Sequence, residues 1–249
     1  MIFTKKVTSL RVLSVAVAAS VAGLAAPLAA QADVTGNIGV YSKYVLRGIT
    51  NAPENDNAAV QGGLDYSHSS GLYAGYWGSS LGYANRTSDG ATTPNGFESD
   101  IYGGYKLKAG PVDLNFGVIY YTYTQVLDSD AIEAVIAAGI GPVTLGAKYL
   151  TEDVAWGNAG DTYLTLDFAQ DLPSEFKFAA QLGYYFYTDS GDFIATTAES
   201  SGFRHLNLTL SHPLGKSGAN MGITYIVGGE DRQGVQQENA VVLALTSGF

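Results

Sequence analysis

From residue 36 onward the chain alternates apolar and polar residues with a period of two, and the connections between these stretches alternate between short and long. Period two puts successive side chains on opposite faces of a strand. The pattern predicts twelve strands, at about 36–48, 59–68, 72–81, 97–107, 111–123, 131–140, 143–151, 161–169, 175–187, 203–212, 220–228 and 239–249. Short turns such as SSG (69–71), KAGP (108–111) and GP (141–142) separate long polar connections such as GYANRTSDGATTPNG and TDSGDFIATTAESSG. Short turns at one end and long loops at the other belong to a membrane barrel with an even number of strands. A two-sheet sandwich mixes loop lengths at both ends.

Composition supports this reading. Charged residues make up 14% of the chain, against about 25% in an ordinary soluble domain. There are 31 glycines and 17 tyrosines. The chain has no cysteine, which excludes a disulfide framework and a thiol nucleophile. Lys5, Lys6 and Arg11 followed by the apolar run VLSVAVAASVAGLAAPLAA (12–30) and Ala30-Gln31-Ala32 form a signal-peptide pattern. An uncleaved anchor is the alternative, disfavoured by Pro27 and the small-x-small ending. The expected organisation is a signal peptide at 1–32 and one barrel at 33–249. Beyond the leader no apolar run is long enough for a transmembrane helix. The three leader cations aside, the exported part is still more acidic than the whole chain's −10, which argues against a nucleic-acid partner.

The fold class expected is therefore all-β: a transmembrane antiparallel β-barrel of about 12 strands, of outer-membrane type. One alternating set in each strand is apolar, as in Leu114/Phe116/Val118/Tyr120 and Met221/Ile223/Tyr225/Val227. Its aromatics fall at two heights. Tyr66, Tyr105, Phe168, Phe176 and Phe249 lie by the short turns, and Tyr44, Phe97, Tyr120, Tyr149, Phe186 and Tyr225 by the long loops. Aromatic girdles bordering an aliphatic band mark a lipid face. Tyr44, Tyr105, Phe168, Phe176 and Phe249 are the residues assigned to these belts.

The opposite set is polar or small. Lys43, Arg47, Asp65, Glu98, Asp100, Lys106, Glu133 and Lys148 are the candidate pore-lining residues, interleaved with glycines that include Gly39, Gly75, Gly104, Gly117 and Gly183. Inward glycines are expected to keep a lumen open. A lumen packed with paired side chains is the alternative, since small barrels fill with side chains and widen with strand number. Arg47, at the mouth of the first strand, needs a partner such as Glu98 or Asp100, because an unpaired buried guanidinium is costly. Its role is either to pin the first long loop or to form a constriction.

GNIGVYSKYVLRGIT (36–50), AVQGGLDYSHSSGLYAGYWGSS (59–80) and FESDIYGGY (97–105) resemble the TorF-type porin family, proteobacterial exported proteins of unknown function. The S-x-Y-x-x-RGI core and the QGGLDY…SGxYAG hairpin carry the resemblance, over the first third of the chain. It implies a transport barrel and names no solute.

The functional expectation is an outer-membrane porin passing small hydrophilic solutes or ions by passive diffusion, with a cation preference from acidic loops. A non-conducting adhesin or structural barrel and an outer-membrane hydrolase are the alternatives. Loop acids such as Glu54, Asp56, Asp89, Asp128, Asp189 and Glu230 vastly outnumber Arg86 and Arg232, and would repel anions and bridge to lipopolysaccharide through divalent ions. No catalytic residue, metal site or cofactor is assigned. His205 could meet Ser201 or Glu199, yet no nucleophile motif surrounds it. The remaining partners expected are outer-membrane lipid and, through the terminal Phe249, the barrel-assembly machinery.

Overall fold

The structure, a computed structural model, describes residues 32–51, 57–81, 85–86, 92–93 and 96–249, the side chains of 85–86 and 92–93 excepted. All but the last residue of the expected leader, and the loop acids Glu54, Asp56 and Asp89, lie outside the described residues.

The strands are β1 (Asp33–Tyr41), β2 (Ala59–Ser67), β3 (Leu72–Ser80), the short β4 (Asn85–Arg86) and β5 (Thr92–Thr93), β6 (Phe97–Ala109), β7 (Val112–Thr124), β8 (Ala131–Ile140), β9 (Val143–Leu150), β10 (Thr162–Asp171), β11 (Lys177–Phe186), β12 (Ser201–Pro213), β13 (Ala219–Gly228) and β14 (Ala240–Gly248). β4 and β5 pair with each other within the loop that follows β3. The other twelve form one closed antiparallel barrel in sequence order, with β1 pairing β14. Closure leaves no sheet edge unpaired, the condition lipid imposes on a spanning sheet. AIEAVIAAGI, whose alanines would suit a helix, is strand β8, because its period-two pattern buries alternate residues.

The exterior is apolar. Ile38, Val40, Ile101, Ile136, Leu145, Met221, Ile223, Leu243 and Leu245 are all exposed, in register around the wall. Water would not tolerate so large a continuous apolar surface; lipid does. Tyr105, Phe168, Phe176 and Phe249 stand on this outer surface.

Tyr44 does not. The first strand was expected to run to residue 48, which would have aimed Tyr44 outward. Instead β1 makes its last paired rung at Tyr41, opposite Ala59 and Ala244, and Ser42 bonds Leu243 through its backbone. The chain then turns into the barrel, and Tyr44 is 3% exposed. The reason lies in the turn itself. Arg47 and Gly48 both have positive φ (47° and 73°), and the Ile49 amide donates to the Leu46 carbonyl at 2.9 Å. Two left-handed central residues reverse the chain tightly and cannot belong to a straight strand. The segment rejoins the rim where Thr50 donates to the Glu238 carbonyl at 2.5 Å and Asn51 bonds Gln236 and Glu238.

The inward glycines are not open space either. A side chain at Gly75 would collide with the Tyr102 ring, one at Gly104 or Gly117 with the Tyr73 hydroxyl, and one at Gly183 with His205. Each glycine is the floor on which an inward ring lies. These positions let the lumen hold more aromatic volume.

Candidate functional site: an arginine turn locked across the lumen

Round the closed ring, β8 lies five places from β1 in one direction and β11 four places in the other. Arg47, carried on the turn after β1, touches both. Its guanidinium grips the Glu133 carboxylate on β8 with two bonds, at 2.8 and 2.6 Å, and donates to the Tyr185 hydroxyl on β11 at 2.7 Å. A planar fork on a planar carboxylate is the strongest geometry available to this pair. Tyr121 on β7 accepts from Arg47 and from Lys148 at 3.3 Å each, and donates to Glu133 at 2.7 Å. The guanidinium carbon lies 4.8 Å from the Tyr163 ring centre and 5.6 Å from that of Trp156. Arg47 and Glu133 are both buried.

A second clasp holds the same segment nearer its start. Tyr44 donates to Glu98 at 2.5 Å, and Tyr123 donates to the other oxygen of that carboxylate at 2.8 Å. Apolar groups fill the space around the clasps. Val45 packs with Tyr41, Ile226, Val242 and Ala244; Tyr44 packs with Ala59, Trp77 and Leu81.

The loops after β7, β9, β11 and β13 are tied to one another at the same end of the barrel. Trp156 meets Tyr121 edge-on with ring centres 6.1 Å apart, and its indole donates to the Ser129 carbonyl at 2.9 Å. Asp161 pairs with Arg232, joining the loop after β9 to the loop after β13. Asn158 donates to the carbonyls of Thr188 and Ile194. Asp153 accepts from the backbone of Ala159 and Asp192, and these bonds hold its carboxyl below the usual carboxylate range.

Arg47 therefore meets Glu133, and neither Glu98 nor Asp100, the partners expected from sequence. Of the other candidate lining residues, Glu98, Asp100, Glu133 and Lys148 are buried within the barrel, whereas Asp65 and Lys106 are half-buried. Tyr102 donates to Asp65 at 2.5 Å, and the Lys106 ammonium lies 4.7 Å from the Tyr73 ring centre. Lys43, half-buried, belongs to the turning segment and not to a strand. The lumen residues that parity alone did not single out are the tyrosines 121, 123, 163 and 185, which hold the acids and the arginine in place. His205 pairs with the Tyr163 hydroxyl at 2.7 Å, while Ser201, one of the two partners considered for it beside Glu199, bonds Tyr184.

Gly48 faces His205 so closely that an added Cβ would stand 2.5 Å from the histidine Cβ, and its φ of 73° disfavours any other residue. Gly48→Val is therefore expected to undock the turn. Limited proteolysis should then cut between residues 42 and 50 in the variant while leaving the wild type intact there.

Residues 25–239 match the profile of Gcw_chp, described as a bacterial protein of unknown function. The chain belongs to the Gcw_chp family. The TorF-type resemblance is thus met at the level of a bacterial family without an assigned activity, and not by that name. No curated protein matches this Gcw_chp chain. Among solved structures its barrel is similar to a KdgM porin, with 7% identity, a TM-score of 0.54, and coverage of 86% of this chain and 98% of that one. OccK5 (OpdH) of Pseudomonas aeruginosa matches at 11% identity and a TM-score of 0.43, over 85% of this chain and 62% of that one. Outer membrane phospholipase A of Escherichia coli matches at 10% identity and 0.42, over 86% and 88%. At these identities the likeness to the KdgM porin concerns the fold: a closed barrel of porin type.

Proposed function

We propose that this Gcw_chp barrel is an outer-membrane channel for small hydrophilic solutes or ions, shut in the described state by the turn at Arg47. The observation that carries the reading is the contrast between the two halves of the interior. Toward the short turns rings such as Tyr73 fill part of the lumen, and the wall still leaves recesses. One recess is lined by Thr35, Asn37, Asp65 and Thr246; another runs from Thr144, Thr165, Asp167 and Gln181 up to Lys148, Tyr163 and the turn itself at Leu46 and Arg47. Toward the long loops the lumen is filled by wall tyrosines, by Trp156 and by one short segment tied to the wall through Tyr44 and Arg47. A wall that needed filling for stability alone could have used its own side chains. A removable segment supports a gate.

Planar-bilayer recording of the purified barrel tests this. The wild type is expected to show rare, brief openings, and a chain lacking residues 43–49 steady conductance. The acidic loops support a cation preference, so reversal potentials under a salt gradient should lie on the cation side, and a clear anion preference would remove that part of the reading. The filled upper lumen also favours a second reading, a non-conducting barrel that presents its loops as an adhesin. Failure of the deleted chain to conduct would establish that reading over the channel. Hydrolysis has less support, since the buried His205 is paired with a tyrosine.

A further inference from the structure

The charges around the turn do not balance. Glu98, Asp100 and Glu133 are buried at 1% exposure each, and the buried cations that act on Asp100 are Arg47 and Lys148. Arg204, a further buried cation among the described residues, sits on β12, diametrically across the ring from β6. The hydrogen bonds locate the surplus. Both oxygens of Glu133 and both of Glu98 are met by arginine or tyrosine donors. Neither oxygen of Asp100 has a partner. An ionised carboxylate buried without a donor is among the costliest arrangements in a protein.

Its surroundings are also incomplete. Trp77 stands opposite Asp100 across the β3–β6 ladder, buried, with its indole N–H unpartnered. In the neighbouring rung, Gln61 on β2, opposite Ser79, is buried with its amide oxygen unpartnered. Tyr44 shares a buried cluster with Trp77, and Tyr102 and Tyr123 pack against it. Unmet acceptors thus outnumber the unmet donor, beside aromatic rings, and the carboxylate, when ionised, has no hydrogen-bond donor to hold its charge. Water would satisfy hydrogen bonds and leave the charge. A divalent metal lacks its ligands, because among the described residues no three His, Asp or Glu side chains converge. A primary ammonium brings three N–H donors and a positive charge, and aromatic faces attract it.

We propose that Asp100, with Trp77 beside it, is a binding site in the lumen wall for a primary ammonium group. The site rests on the channel reading only for the route by which an amine arrives. Methylammonium present during refolding of the full barrel tests occupancy without passage. The expected result is a thermal midpoint that rises with methylammonium chloride concentration, does not rise with sodium chloride at equal ionic strength, and loses its dependence in Asp100→Asn. Equal effects of the two salts would overturn the proposal. So would an absent methylammonium effect together with an unchanged midpoint in Asp100→Asn, the signature of a carboxyl group that simply holds a proton. Should Asp100→Asn fail to fold, Trp156→Phe leaves Trp77 as the reporter, and its emission must shift with methylammonium and not with sodium. Conductance without methylammonium binding would sink the site and spare the channel; binding to a barrel that never conducts would do the reverse.

Discussion

Arg47→Ala is expected to open the lumen and lower the heat resistance of the barrel together. The two effects share a cause. Removing the guanidinium takes two hydrogen bonds and the counter-charge from Glu133, a residue at 1% exposure, and a donor from Tyr185. Breaking a buried pair from one side costs about 3–5 kcal/mol, because the remaining charge stays buried and unpaired. Arg47 itself sits at a positive φ, which costs a non-glycine residue roughly 1–2 kcal/mol, so the turn is worth forming only while the clasp repays it. Lys148, already bonded to Tyr121, is close enough to offset part of the loss. Arg47 belongs to no strand ladder, so the cost falls first on docking of the segment, and the charge orphaned on β8 then weakens the wall itself. Single-channel recordings should therefore show longer open times than wild type, and the heat-induced mobility shift on gels should come at lower temperature. Arg47→Lys should behave closer to alanine than to arginine, since an ammonium cannot grip both carboxylate oxygens in one plane. Combining Arg47→Ala with Glu133→Gln should recover much of the lost stability and leave the channel open, because the orphaned charge is gone while the lock stays broken. A variant that loses heat resistance with wild-type conductance would assign Arg47 to loop pinning alone.

The barrel was legible in the sequence because its solvent is simple. Lipid demands an apolar residue at every second position, and Ile132, Ile136 and Ile140 of β8 obey that rule despite the alanines between them. Turn chemistry gave the strand ends to within a few residues, except at β1. There the alternation of Tyr44 and Leu46 continued the strand pattern after the backbone had left the wall. The one local signal to the contrary was Arg47-Gly48, a pair that reads as ordinary within a strand mouth and as a tight turn only when both φ angles are known. The clasp was less legible still. Arg47 and Glu133 are 86 residues apart and meet across the lumen, where pairing depends on how the strands are staggered round the ring. Parity identifies which residues point inward and says nothing about which of them face each other. The glycines misled for a related reason: a missing side chain on one strand is filled by a ring from its neighbour, as Tyr102 covers Gly75.

Deleting Phe249 is expected to cut assembly into the membrane severely while changing channel properties little. Its contribution to the finished barrel is modest. Phe249 exchanges two backbone hydrogen bonds with Gly36, at 2.8 and 2.9 Å, extending a β1–β14 seam whose paired rungs run from Asn37↔Gly248 to Tyr41↔Ala244. Its ring lies against Gly36 and beside Leu64, and the residue is still 77% exposed. Two exposed backbone bonds are worth about 1–3 kcal/mol together, a small part of a barrel closed by twelve ladders. We propose that the residue matters more as the terminal aromatic that the assembly machinery reads, preceded by the alternating Val241, Leu243 and Leu245. The two contributions separate experimentally. Phe249→Ala keeps both backbone bonds and removes the ring, so refolding into detergent should proceed as in the wild type while insertion in cells falls sharply. If instead refolding and insertion decline in parallel, the ring acts by sealing the seam over Gly36, and the assembly signal must be sought elsewhere in β14.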